Sequence, residues 1–146
     1  SRDLINADRK GNWQALPEVD LDSATRAHLI IAMPGTQSFL DRHEWIRHGT
    51  CFGRGDPQTY FQEALSLLDE VNGSAVQALF AGNIGKEITV GEVRTTFDTA
   101  FGSRRGSRPA ILQTGRFSPA YTEITIGLVA QPGDSNKLAD LIKGSA

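Results

Sequence analysis

Apolar residues in this chain follow a helical spacing up to residue 101 and alternate with polar ones only after residue 110. Beyond Asp56, the apolar positions Phe61, Leu65 and Leu68 recur three or four residues apart, as on one face of a helix. Later, Ile124 and Ile126 alternate with polar neighbours, as in a half-buried strand. The sequence therefore predicts an α+β fold, with helices packed on a small antiparallel sheet.

Local signals mark where the helices begin and end. Asp22 is a candidate N-cap, and Asp56-Pro57 combines a cap with a proline in the first turn. Thr89 and Glu92 have the spacing of a capping box, and Gly102 follows the last apolar position of that helix. Shorter helices are predicted at 75–81 and 134–142. Strands are predicted at 110–114 and 121–129, and because two strands bury little on their own, we expect an incomplete sheet.

The composition is that of one globular domain. The chain has 146 residues, of which 39% are hydrophobic and 22% charged. Residues 1–20 are polar and predict an irregular N-terminal arm, whereas 21–146 predict the folded domain. A net charge of −2 gives no overall attraction to nucleic acid, so any RNA contact needs a local basic patch. No stretch is apolar enough to cross a membrane, and no signal peptide is evident.

The segment 43–51 concentrates the reactive side chains of the chain. If it is helical, His43, Glu44, Arg47 and His48 fall within an arc of about 140°. Two imidazoles, a carboxylate and a permanent cation suit proton transfer and anion stabilisation near neutral pH. We expect residues 39 and 46 to dock the opposite side into a core, and residue 49 to end the helix in a left-handed conformation.

Three interpretations of this face compete. It is a merely solvated helix surface, a metal site, or a metal-free site for an anionic substrate. A zinc-protease motif needs histidines four residues apart, whereas His43 and His48 are five apart and about 140° around the helix. Arg47 between them repels a cation. The pattern therefore disfavours metal and cofactor chemistry and favours an anionic substrate.

The residues at 43–51, His-Glu-Trp-Ile-Arg-His-Gly-Thr-Cys, closely resemble the second active-site segment of the T2 family of endoribonucleases. The usual form of that segment is His-Glu-Trp-x-Lys-His-Gly-Thr-Cys. The resemblance to bacterial members continues on both sides of the motif, from about residue 16 to about residue 129, through Met33-Pro34-Gly35, Asp56-Pro57 and Pro119-Ala120-Tyr121. The motif itself is highly specific.

The resemblance implies metal-free cleavage of single-stranded RNA by transphosphorylation to 2′,3′-cyclic phosphate ends. By this resemblance His48 is one group of the acid–base pair, and His43 binds phosphate. Glu44 and Arg47 stabilise the transition state. Arg47 departs from the commoner lysine, so a planar guanidinium replaces the compact ammonium group of lysine at the phosphate. No cofactor or metal is implied.

A larger departure concerns the second catalytic histidine, which the family places in an upstream His-Gly-Leu-Trp-Pro segment that this chain lacks. The remaining histidine, His28, is predicted to be structural, and Trp13 fits a structural tryptophan better than a base-stacking one. We therefore expect the working enzyme to be completed by a missing N-terminal segment. The alternative is a non-catalytic module that binds RNA or a partner.

Two further features follow from the resemblance and from charge. Secreted T2 enzymes pair the cysteine of their Gly-Thr-Cys, so Cys51 is either a buried free thiol or half of a bridge to an absent segment; we favour the bridge. A periplasmic or secreted location follows by the same reasoning.

The loop at 102–108, with Arg104, Arg105 and Arg108, is either a solvated loop or a contact for RNA phosphates.

Overall fold

The described part of the chain is mostly helical. A computed structural model describes residues 2–53, 55–102, 110–113, 121–128 and 137–142. Its elements are α1 (Arg2–Arg9), α2 (Ser23–Ala32), α3 (Leu40–Arg47), α4 (Pro57–Asn72), α5 (Ala75–Gly82), α6 (Val90–Phe101), β1 (Ala110–Gln113), β2 (Tyr121–Thr125) and α7 (Leu138–Ile142). Short 3-10 turns at Trp13–Ala15, Pro34–Ser38 and Gly49–Cys51 join the first helices. The chain divides into two compact units, Ser1–Leu65 and Ser66–Ala146.

The N-terminal residues are more ordered than their composition predicts. Helix α1 and the turn at Trp13–Ala15 replace the expected irregular arm, and Leu16 and Val19 are buried. The prediction was wrong because α1 contributes few apolar side chains, so no helical stripe is visible in the sequence. Asp3 in its first turn and Arg9 in its last turn are the signals that favour it, through the helix dipole.

Helices α2 and α4 form the core of the first unit. As predicted, Asp22 caps α2, accepting a hydrogen bond from the Thr25 amide at 2.7 Å. Gln58 on α4 donates to the Asp22 carboxylate and to the Thr25 hydroxyl, both at 2.8 Å, so it links the two helices. The buried residues of this core are Val19, Leu29, Phe61 and Leu65.

Helices α5, α6 and α7 supply the core of the second unit. The predicted capping box is present at the start of α6, where the Thr89 amide donates to Glu92 at 2.8 Å. Gly102 ends α6 in the left-handed region, with φ of 66°. The buried residues of this core are Val76, Val93, Phe97, Phe101, Leu138 and Ile142.

Strands β1 and β2 pair antiparallel, with Ala110 opposite Thr125 and a register shift between Leu112 and Gln113. Ile124 and Ile126 pack against the core of the second unit, in agreement with the alternation in the sequence. Within the described ranges this two-stranded ladder is the whole sheet. The T2-type arrangement of helices on a fuller sheet therefore stays a prediction.

Some predictions fall outside the described residues. These are the basic residues of the loop at 103–108, the connection at 114–120 and the start of the terminal helix before residue 137. None of the helices in the described ranges is long and apolar enough to cross a bilayer.

Candidate functional site

Helix α3 and its C-cap carry the 43–48 segment. The residue before this helix has an unusual backbone conformation. Phe39 has a φ of 63°, which is the left-handed region, and it precedes the first helical residue, Leu40. The Arg42 guanidinium lies 4.7 Å from the centre of the Phe39 ring. Phe39 therefore does not dock the helix into the core, as the spacing predicts. Trp45 packs against the core of the first unit instead, with its ring 5.9 Å from that of Tyr60.

Gly49 follows the helix for a different reason from the predicted one. It is buried in a right-handed 3-10 turn and not in the left-handed region. A Cβ atom at this position would lie 2.1 Å from Cε3 of Trp45, far inside van der Waals contact. Glycine is therefore required because the Trp45 ring lies directly against the backbone. The tryptophan and the glycine of the motif form one packing unit.

The structure brings together three of the four predicted site residues. His48 is the C-cap of α3, and its backbone amide still donates to the Glu44 carbonyl at 2.9 Å. The rings of His43 and His48 lie edge to face, with centroids 6.1 Å apart. One potential ligand atom each from His43, Glu44 and His48 lies within 4.8 Å of the other two. We call these three residues the histidine cluster.

This geometry corrects part of the sequence argument. The five-residue spacing predicts imidazoles that diverge around an ideal helix, but α3 ends at Arg47 and His48 has cap geometry (φ −119°, ψ −47°). The two rings therefore lie close together, so the five-residue spacing does not prevent His43 and His48 from contacting the same ligand. Arg47, on the last turn of α3, is exposed. It is free of the packing that restrains His43.

His43 is held from two sides by the N-terminal residues. Its Nδ1 atom lies 2.5 Å from a carboxylate oxygen of Asp8, a residue that is only 6% exposed. The Trp13 ring stacks on the imidazole at a centroid distance of 4.7 Å and an interplanar angle of 24°. With Nδ1 directed at Asp8, the Nε2 atom is the one left to meet a ligand.

Arg42 fixes the N-terminal residues against α3. Its guanidinium donates to the carbonyls of Gln14 and Leu16 at 3.0 and 2.8 Å. Sequence reasoning missed this docking and therefore missed Asp8 altogether. The Trp13 ring packs on an imidazole of the candidate site, and the structural role expected for it stays a prediction.

Tyr60 borders the cluster on the side of Glu44. Burial raises the pKa of its phenol above the usual value, and the nearby Glu44 carboxylate raises it further. Its ring contacts Phe52 and Phe61 at centroid distances of 5.6 and 5.0 Å. The phenol is therefore neutral at physiological pH and can donate a hydrogen bond.

Two other residues of interest are not members of the histidine cluster. His28 is half-buried on α2 and is not a member of the histidine cluster. Cys51 is an exposed free thiol, so the expectation of a buried one is wrong. The expected bridge from Cys51 stays a prediction.

The chain resembles a known ribonuclease over most of its length. It is 38% identical over 119 residues to Ribonuclease I of Escherichia coli (strain K12). That match covers 78% of this chain and 42% of Ribonuclease I, so the chain spans less than half the length of that relative. No family model and no solved structure matches the chain.

The match includes the 43–51 motif. Because it covers 78% of the chain, it begins no later than about residue 33 and ends no earlier than about residue 114. The residues that match Ribonuclease I therefore include the whole 43–51 motif. Over those 119 residues the chain belongs, as its motif predicts, to the bacterial type of T2 ribonuclease.

Proposed function

We propose that this chain is the part of a T2-type endoribonuclease that holds the scissile phosphate and one of two proton-transfer groups. One observation carries the proposal: His43, Glu44 and His48 converge within 4.8 Å in a chain related to Ribonuclease I. The substrate is single-stranded RNA, and the products carry 2′,3′-cyclic phosphate ends. No metal takes part.

The reaction is a transphosphorylation in which the ribose 2′-oxygen attacks the adjacent phosphorus and the 5′-oxygen leaves. A base removes the 2′-proton and an acid protonates the leaving oxygen. His48 takes one of these roles, because an imidazole exchanges protons near neutral pH and this one is exposed. The net result moves one proton from the 2′-hydroxyl to the 5′-oxygen.

The other cluster members stabilise charge at phosphorus. His43 presents Nε2 to a phosphate oxygen while Asp8 holds Nδ1. The exposed Arg47 stabilises the transition state, since a fixed cation offsets the charge on the equatorial oxygens. The part of Glu44 in this stabilisation rests on the family resemblance. Because a guanidinium is planar and bidentate, Arg47 orients the phosphate more strictly than a lysine would.

The second proton-transfer group is, in this proposal, the histidine of a His-Gly-Leu-Trp-Pro segment outside these 146 residues. The same segment would extend the sheet beyond the two described strands and would offer a cysteine to Cys51. A periplasmic or secreted location is part of the proposal and rests on the family resemblance.

The test compares the 146-residue chain with a longer form that carries the His-Gly-Leu-Trp-Pro segment ahead of Ser1. Both are assayed on single-stranded RNA in EDTA, with the RNA ends identified by mass spectrometry. We expect the longer form alone to release 2′,3′-cyclic ends. In that form His48→Ala lowers the cleavage rate by about 10²–10⁴-fold, the usual contribution of general acid–base catalysis.

His28→Ala is the matched control, because His28 lies on α2 outside the cluster, and it should leave the rate unchanged. Loss of all activity in EDTA would contradict the metal-free mechanism. Equal cleavage by the two forms would contradict the need for a second histidine. A longer form that binds RNA without cutting it would favour the alternative, a non-catalytic RNA-binding module.

A further inference from the structure

A cavity of about 220 Å³ lies in the first unit, between α2, the turn at Pro34–Ser38 and the start of α3. None of the three residues of the histidine cluster lines it. Asp41, which does line it, comes two residues before His43, so the two side chains leave α3 about 200° apart around the helix. The cavity is therefore a separate place on the molecule from the candidate active site.

The Asp41 carboxylate is buried at this cavity without a partner. Asp41 is only 6% exposed, and no described residue forms a hydrogen bond or an ion pair with its side chain. A carboxylate removed from water is costly unless it is paired and hydrogen-bonded. The Thr36 hydroxyl, which lines the same cavity, is also buried and has no hydrogen-bond partner among the described residues. Two polar groups of the cavity are thus available to a ligand.

Arg42 adds a positive charge to the same cavity. Its hydrogen bonds to two backbone carbonyls both use Nη1, and Nη2 has none among the described residues. Arg42 and Asp41 both line the cavity but do not form an ion pair with each other. The other arginine of the lining, Arg26, is already paired with Glu18 at 3.5 Å. The cavity therefore presents a carboxylate and a guanidinium that do not neutralise each other.

The rest of the lining is largely apolar and the space is small. Leu29 and Ile30 of α2 and the ring of Phe39 contribute the apolar surface. A cavity of about 150 Å³ already accepts a benzene ring, so this one has room for a ligand of that size with a few polar atoms added. Small-molecule sites combine such an apolar surface with a few polar groups that orient the ligand.

We propose that this cavity binds a small zwitterion of the α-amino-acid type. The ligand's ammonium group donates to the Asp41 carboxylate and to the Thr36 hydroxyl, and its carboxylate accepts from the Arg42 guanidinium. An aliphatic side chain on the ligand lies against Leu29 and Ile30. A ligand with a single charge would leave either the carboxylate or the guanidinium without a partner, and this favours a zwitterion over a simple amine or acid. The inference does not rest on the proposed function.

The binding test is a calorimetric titration of L-leucine into the 146-residue chain, compared with two analogues that each lack one charge. Leucinamide has no carboxylate, and N-acetyl-L-leucine has no ammonium group. We expect one L-leucine per chain and binding of each analogue that is about 10- to 100-fold weaker, the usual loss of a hydrogen bond to a charged group. Equal binding of L-leucine and either analogue, or no binding of L-leucine, would overturn the inference.

Asp41→Asn removes the charge with almost no change in shape and should weaken L-leucine binding by the same factor of about 10 to 100. Asp20→Asn is the matched control, because Asp20 is exposed in the same unit and does not line the cavity. Without leucine, Asp41→Asn should unfold at nearly the same urea concentration as the parent chain. The lost interaction with the α3 dipole is small, and the unpaired buried charge that it removes is unfavourable. A large drop, as on breaking a buried ion pair, would show that Asp41 has a structural partner and would overturn the inference.

A second measurement locates the ligand without any variant. On addition of L-leucine, the amide ¹H and ¹⁵N signals of residues 29–30 and 36–42 should shift, because these residues surround the cavity. The imidazole ¹⁵N signals of His43 and His48 should stay where they are. Shifts of the imidazole signals without shifts at residues 36–42 would place the ligand at the histidine cluster and would overturn the inference.

Discussion

The two compact units of this chain are stabilised in different ways. The buried polar residues Asp8, Thr25 and Asp41 all lie in the first unit, among the residues whose burial the structure describes. The second unit buries six apolar residues in its core, three of them on α6. The unit that carries the reactive side chains therefore adds buried polar contacts to its apolar core, whereas the described core of the other unit is apolar throughout.

This contrast has a physical reason. A site that holds imidazoles in fixed orientations needs buried polar partners for them, and each partner must itself be satisfied, because an unpaired buried polar group is costly. An apolar core tolerates volume-conserving changes much better. The first unit should therefore be the more sensitive to single polar or steric substitutions.

The largest stability effect should come from the apolar unit. Phe97 is 1% exposed and central to the core of the second unit, so Phe97→Ala removes its packing and leaves a cavity. We expect a loss of about 3–5 kcal/mol in the free energy of unfolding, measured by urea denaturation. A loss smaller than the one caused by Gly49→Ala in the first unit would break the contrast between the units.

Gly49→Ala tests the steric sensitivity of the first unit. The new Cβ would lie 2.1 Å from the Trp45 ring, so the ring or the backbone must move. We expect a loss of about 1–3 kcal/mol in the free energy of unfolding, measured by urea denaturation, which is the usual cost of overpacking. Gly82→Ala is the matched control, because nothing lies within 4 Å of its Cβ position at the end of α5. An unchanged melting temperature in Gly49→Ala would contradict the packing argument.

Gln58→Ala tests the polar link between α2 and α4. The Gln58 side chain bonds Asp22 and the Thr25 hydroxyl, and its carbonyl accepts from the Asp22 amide at 2.9 Å. We expect a loss of about 1 kcal/mol in unfolding free energy, the typical net worth of a hydrogen bond, since part of the site is exposed. Gln62→Ala, which removes only a 3.3 Å contact to Thr25, should cost less. The reverse order would show that the link does not stabilise this unit.

The smallest effect concerns the helix caps at low pH. Hydrogen bonds from the Thr25 and Thr59 amides hold the pKa values of Asp22 and Asp56 below their ordinary value of 3.8. Because the folded pKa is the lower one, the stabilisation is present above about pH 4 and is lost as the pH falls through the folded pKa. The melting temperature should therefore drop below pH 4. The drop should be shallower in Asp56→Asn, and an equally steep one would contradict the assignment.

Helix boundaries were predictable where a local contact determines them. The cap of α2, the capping box of α6 and the Asp56 start of α4, whose carboxylate accepts from the Thr59 amide at 2.9 Å, each involve residues three apart. Such contacts can be predicted from sequence, because the residue types and their spacing are enough to recognise them. The 43–51 motif was also readable, because it is specific to one family.

What the sequence could not reveal depends on contacts distant along the chain. Asp8 and His43 are 35 residues apart, and the sequence around neither residue predicts that their side chains are in contact. The direction of His48 depends on where α3 ends, and helix ends are the least certain part of any periodicity argument. The position of Gly49 after the last helical turn predicts a left-handed helix end, whereas the contact that requires glycine is with the Trp45 ring and cannot be recognised from that position.

The restraint on His43 has a consequence for how substrates are accepted. Its ring is already immobilised by Asp8 and Trp13, so a ligand pays little further side-chain entropy to engage it. His48 and Arg47 are exposed and must be ordered by the ligand, at about 0.5–1.5 kcal/mol per side chain. In the proposed function, the phosphate would therefore meet one preorganised group, His43, and two groups that it has to order itself, His48 and Arg47.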